Sequence, residues 1–212
     1  MKPRLTLAQA LQAIGRPVFT TREVASLRES SLSATSQGLR RMERQGLLAD
    51  VARGVWCVPA HPRYTPFALV HFLAGGHPAY VSLFSALHLH GMIEQIPQVV
   101  FAATTGHTRV VRTPAETFSF HRIHPEFFAG FDWYGGRQDF LVASPEKALV
   151  DCLYLSSRKG GRFRFFPEID WGKRFRFARA GEWVRRIPDS RIRKYVDDRL
   201  SELRVRRIAR QP

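Results

Sequence analysis

The sequence predicts an α+β protein: an N-terminal winged helix-turn-helix unit over residues 1–60, then a larger mixed α/β unit over 61–212 with a basic helical C-terminus. Three observations predict it. Residues 20–59 read as helix, turn, second helix and two short strands, with Arg40, Arg41 and Arg44 on the second helix and Arg53-Gly54 between the strands. Beyond His61–Pro66, helical and alternating segments are interspersed, which suits a mixed sheet with helices against it. Finally, the positive charge is concentrated at the two ends of the chain.

Taken in order, Leu5, Leu7, Ala10, Leu11 and Ile14 repeat at helical spacing, opened by Thr6 and stopped by Gly15 and Pro17. Phe19-Thr20-Thr21 is a short extended segment whose threonine caps a helix over Arg22–Leu27, with Glu23 in the first turn beside the positive end of the helix dipole. Ser33 is the N-cap expected for a helix over Ala34–Gln45, with Gly46 as its left-handed stop. Leu39 and Met42 form the inward stripe of that helix, continued by Ala34 or Thr35. Leu47-Leu48 and Val55–Val58 then read as strands, ended by Pro59. In the second unit, helices are expected over Pro66–Leu73, Ser82–His90, Ser144–Leu155 and about Asp189–Ile208. Strands are expected over Ile96–Ala103, Glu116–Arg122 and Gln138–Val142. The alternation Arg162-Phe163-Arg164-Phe165, taken up again by Phe175 and Phe177, suggests further half-buried strands.

With 212 residues, 44% of them hydrophobic and 16 phenylalanines, the chain can bury an aromatic-rich core. Its net charge of +15 divides into +5 over residues 1–60, −1 over 61–157 and +11 over 158–212. Such segregation implies a polyanion touched by the ends and a different task for the middle. Cys57 and Cys152 are the two cysteines, without a CxxC pair, and read as buried free thiols in a reducing compartment. The first fifteen residues lack the apolar core of a signal peptide, and the apolar stretch Phe67–Ala74 is short and interrupted by His71. A soluble cytoplasmic protein with no membrane partner is expected.

The chemistry most clearly indicated is DNA recognition. A recognition helix delivers its N-terminal residues to base edges, so Ser33, Thr35, Ser36 and Gln37 are base-reading candidates. Arg40, Arg41 and Arg44 lie one or two turns on, where they meet phosphates, and Arg40 can also reach a guanine in bidentate fashion. Arg53 at the wing tip is placed for the minor groove or its backbone. In the basic C-terminal region, Arg162, Arg164, Arg174 and Arg176 are candidates for DNA phosphates or for an RNA- or nucleotide-bearing partner.

Catalytic and cofactor signatures are weak. His88 and His90 sit two apart, about 200° around a helix, and cannot share one metal; His121 and His124 lack accompanying ligands. Gly75-Gly76 and Gly160-Gly161 lack the rest of a phosphate-binding loop, and no G-x-S-x-G occurs. Glu146, Lys147 and Asp151 are the nearest approach to a metal-dependent nuclease site. Their simpler reading is Glu146 at its own helix N-terminus and Lys147 paired with Asp151 at i, i+4. No catalytic residue, metal or cofactor is assigned. The alternatives to a DNA-binding regulator are a nuclease-like DNA-processing enzyme and a protein-interaction module.

Phe19-Thr20-Thr21-Arg22-Glu23-Val24-Ala25 and Gly46-Leu47-Leu48 through Arg53-Gly54-Val55-Trp56-Cys57-Val58-Pro59 resemble the N-terminal domain of AbiEi-type antitoxins of type IV toxin–antitoxin systems. Tyr80–Gly91, with its Ala-Leu-x-x-His-Gly pattern, and Ser144–Asp151 resemble two helices of the same family, in the same order. The resemblance implies a repressor that binds inverted repeats in the promoter of its own operon. It also implies a second domain that counteracts a nucleotidyltransferase-like toxin, without a catalytic site. The strongly basic stretch 158–212 departs from the family pattern.

Overall fold

The computed structural model describes residues 4–114, 116–136, 139–158, 163–172 and 174–209. Arg162, Gln138 and Gly160-Gly161, which figure in the readings above, lie outside them.

The chain opens with α1 (Leu7–Ile14), framed by a capping box between Thr6 and Gln9 and by Gly15 at φ 60°. Strand β1 (Val18–Thr20) runs directly into α2 (Thr21–Leu27), where Thr20 and Glu23 form a second capping box. Burial pushes the Glu23 carboxyl up. Hydrogen bonds from the Thr20 amide and hydroxyl and from Arg16 outweigh it, so the group sits below the ordinary glutamate value.

Next, α3 (Leu32–Arg44) begins two residues before the expected start. Its N-cap is Ser31, whose hydroxyl accepts from the Ala34 amide, so Ser33 lies inside the first turn. Gly46 ends the helix at φ 74°. The hairpin is β2 (Ala49–Ala52) and β3 (Val55–Cys57), shifted later than the expected Leu47-Leu48 pair. The extended segment before α2 proves to be a third strand, giving an antiparallel sheet in the order β1-β3-β2. Phe19, Val24, Leu39, Leu48 and Trp56 form the core of this unit, with α1 packed over it through Leu7 and Leu11.

In the second unit the expected helix at 66–73 splits into a 3₁₀ turn, Pro66–Leu69, and one α-turn, α4 (Val70–Leu73). The main sheet has six strands: β4 (Ala79–Val81), β5 (Val100–Thr104), β6 (Arg109–Arg112), β7 (Thr117–Arg122), β8 (Phe131–Trp133) and β9 (Leu141–Ala143), in the order β6-β7-β5-β4-β9-β8. It is mixed, with β4 parallel to β9 and β5 parallel to β7. Helix α5 (Leu83–Leu89) follows β4, and α6 (Pro145–Ser156) follows β9. Every residue of α6 from Glu146 to Ser156 is buried, because α5, α7 (Phe177–Arg185) and α8 (Ser190–Ala209) pack around it. The expected Arg/Phe strands do not form among the described residues. Phe163 and Phe166 pack edge-on against Phe84 instead, and Phe175 and Phe177 cluster with Trp171.

A polar knot sits at the centre of this core. Lys147 and Asp151 form a fully buried ion pair, and the other Asp151 oxygen accepts from the Tyr80 hydroxyl at 2.9 Å and the Ser82 hydroxyl at 2.7 Å. The Lys147 ammonium also lies 3.6 Å from the Phe127 ring centre. Burial pushes the Lys147 ammonium below its ordinary pKa, although Asp151 opposes this.

Candidate nucleic-acid interface

The geometry of α3 follows from its sequence. At about 100° per residue, Ser33, Gln37, Arg40 and Arg44 fall along one stripe, while Thr35, Leu39 and Met42 fall on the opposite side. Burial agrees. Ser33, Gln37, Arg40, Arg41 and Arg44 are exposed, Ser36 is half-buried, and Leu39 is fully enclosed. Gly38 faces α1, where a β-carbon would stand 3.4 Å from Leu7 Cδ2, in contact with that helix.

Thr35 departs from the expected base-reading set. Its side chain is fully buried, and its hydroxyl lies 2.8 Å from that of Ser30, tying the α2–α3 turn to the helix. The inward stripe expected from Leu39 and Met42 claims this position, since a residue four before Leu39 shares its face.

The hairpin is fixed to α2 rather than projecting freely. The Thr21 amide donates to the Gly54 carbonyl at 2.9 Å, and the Trp56 indole donates to the Thr21 hydroxyl at 2.8 Å. Gly54 has φ 74°, a conformation in which a β-carbon is strained, which leaves exposed Arg53 at the tip of a two-residue turn. The N-termini of α2 and the tip of the hairpin are thus held in one rigid arrangement.

The electrostatics are not uniformly positive. Glu43 lies on the flank of α3 and its carboxylate accepts from the Asp50 amide at 3.3 Å. Burial and then Glu43 push the Asp50 carboxyl up, whereas Arg40 pulls it down. Arg40 therefore has a carboxylate neighbour on its hairpin side, which partly offsets the positive charge there.

The candidates for other chemistry are engaged internally. Asp151 is bound as described above. Glu146 lies in the first turn of its own helix, as expected, and is buried, where it also accepts the Arg176 amide at 3.0 Å at the start of α7. His90 Nε2 lies 2.7 Å from the Ala143 carbonyl, His88 Nδ1 lies 3.3 Å from that of Ile93, and His121 Nε2 lies 2.9 Å from the Ser119 hydroxyl. Among the described residues, no three histidine, cysteine or carboxylate groups gather as a metal site. Cys57 and Cys152 are both buried and free. No described helix is long and apolar enough to cross a membrane.

No curated protein matches the chain. The family model described as a transcriptional regulator, AbiEi antitoxin, matches residues 7–59, the stretch that holds α1, α2, α3 and the hairpin. The segments Tyr80–Gly91 and Ser144–Asp151 lie beyond the matched stretch. By its first quarter, then, the chain is similar to the AbiEi antitoxin transcriptional regulators.

Proposed function

We propose that this chain is a sequence-specific DNA-binding antitoxin that represses its own toxin–antitoxin operon. In this reading residues 1–60 are a winged helix-turn-helix, with α3 in the major groove and the β2–β3 hairpin as the wing. The partner is duplex DNA carrying inverted repeats. Residues 61–212 counteract a nucleotidyltransferase-like toxin, by direct contact or otherwise.

The observation that carries the reading is the polar outer side of α3, centred on the exposed stripe Ser33, Gln37, Arg40 and Arg44. Ser33, Ser36 and Gln37 stand nearest its N-terminus, with Arg40, Arg41 and Arg44 further along, all on a helix whose opposite side is locked into the core. Short polar side chains at the leading end can reach base edges. Guanidinium groups behind them can neutralise phosphates and fix the register. Arg53 at the hairpin tip supplies a contact beside the groove. Thr35 is excluded from the contact set because its hydroxyl is spent internally.

The test is a mobility-shift titration of the full chain on its own upstream DNA and on random DNA, at two salt concentrations. Tighter binding to the upstream sequence, weakened by salt, is expected. Arg40→Ala should cost about 1–3 kcal/mol on the operator and relax the sequence preference if the side chain reads a base. Equal loss on both DNAs would make it a phosphate contact. Binding without sequence preference would remove the repressor reading.

A further inference from the structure

The basic charge of the C-terminal region gathers on α7 and at its two ends. Between residues 174 and 186 there are five arginines, Arg174, Arg176, Arg179, Arg185 and Arg186, against one carboxylate, Glu182. All five arginines are exposed. Ala180 and Val184 are buried on the inner side of α7, and helical geometry puts Arg179, Arg185 and Arg186 on the outer side, around the one exposed carboxylate, Glu182.

The helix is held rigidly. Buried Glu146 anchors its first turn through the Arg176 amide. Trp183 occupies the space above Gly130, where a β-carbon would meet its ring at 2.7 Å, and the Arg186 guanidinium stacks over the same indole at 4.5 Å. By contrast, the ion pairs found in the described part of this region, Lys194–Asp198 and Arg199–Glu202, both lie on α8, whose outer surface mixes both signs.

We propose that the exposed surface formed by α7 and its two ends is a second contact for duplex DNA, with Arg176, Arg179, Arg185 and Arg186 meeting backbone phosphates. This rests on the DNA-binding reading given above and extends it to the second unit. Charge complementarity identifies the class of partner, and the lack of apolar groups narrows it. A protein interface is expected to bury an aromatic or aliphatic anchor, and single-stranded nucleic acid needs exposed rings to stack on. The exposed large apolar side chains of the C-terminal third, Phe165, Val205 and Ile208, all lie outside α7. A surface dense in permanent positive charge, with no fully exposed large apolar side chain on α7, is suited to a phosphate backbone, which positions the protein without reading sequence.

The experiment follows binding of the full chain to an upstream duplex by fluorescence anisotropy between 50 and 200 mM salt. The Arg176→Gln/Arg179→Gln/Arg185→Gln/Arg186→Gln protein should show a log–log salt slope shallower by about 3 to 4, since each phosphate contact contributes about 0.9. Affinity should fall by a similar factor on specific and random duplexes. The quadruple Arg→Lys protein, which keeps the charge, should recover most of the slope, separating charge from folding. An unchanged slope in the glutamine variant overturns the proposal while leaving the α3 reading intact. Loss of toxin counteraction with the slope unchanged would assign the face to an acidic protein and also overturns it. Absence of any salt-dependent DNA binding by the unaltered chain would overturn both.

Discussion

Thr35 and Asp151 illustrate how burial reassigns a polar side chain. For Thr35, replacement by valine keeps the shape but leaves the Ser30 hydroxyl without its partner. We expect a loss of about 1 kcal/mol in denaturant unfolding and unchanged DNA affinity. Lost affinity with unchanged stability would return Thr35 to the recognition surface. Asp151 neutralises Lys147 and accepts two hydroxyls, all inside the core. Asp151→Ala leaves a buried ammonium uncompensated and should destabilise by about 3–5 kcal/mol. Lys147→Met should cost less, because Tyr80 and Ser82 still donate to the remaining carboxylate. Comparing their urea midpoints checks that order. The residue types at these positions were legible in the sequence, and so was the i, i+4 pairing of Lys147 with Asp151. Tyr80 and Ser82 were not, since they come from 71 and 69 residues away.

At the scale of elements, local signals defined most helices, and the capping of α2 is the clearest case. Thr20 and Glu23 form their box from adjacent sequence, so the feature could be read directly. Because the Glu23 carboxyl is held below its ordinary value of 4.5, its stabilisation is complete above that pH and is lost as pH falls through the lowered folded value. The thermal midpoint of the native chain should therefore exceed that of Glu23→Gln near pH 6, and the gap should close as the solution is acidified toward pH 3. A gap constant with pH would show that the charge contributes nothing. Strands were less legible. β1, β4 and β8 are three residues each, too short for alternation to register, and exist by pairing with distant partners. The Phe-Arg alternation misled because those rings satisfy themselves in aromatic clusters around Phe84 and Trp171 without a strand partner.

For the whole molecule, the boundary expected near residue 60 is crossed by packing. Val18, Val51, Val55 and Cys57 belong to the larger core together with residues of the main sheet, and the Arg63 side chain reaches both the Gly15 carbonyl and, at 3.4 Å, the Asp139 carboxylate. The Tyr64 phenol in the same connection is a neighbour of Cys57. Burial, with Cys57 adding to it, pushes the phenol up to about 12. Residues 1–60 produced alone would expose these apolar groups, so the fragment should unfold at lower urea than the same unit in the full chain, read from the hydrogen-exchange protection of α1, α2 and α3 across a urea series. Equal midpoints would mean the seam contributes nothing. What the sequence by itself determined was local: helix starts and stops, the alternating faces of α3, and the uneven distribution of charge, all set by neighbours within a few residues. Tertiary structure decided which polar groups are withdrawn from the surface, how six short strands order themselves, and that the arginines on α7 and at its ends stay exposed around a buried Ala180–Val184 side. Those outcomes depend on groups far apart in the chain meeting in a dry core, where an unpaired polar atom is too costly to leave.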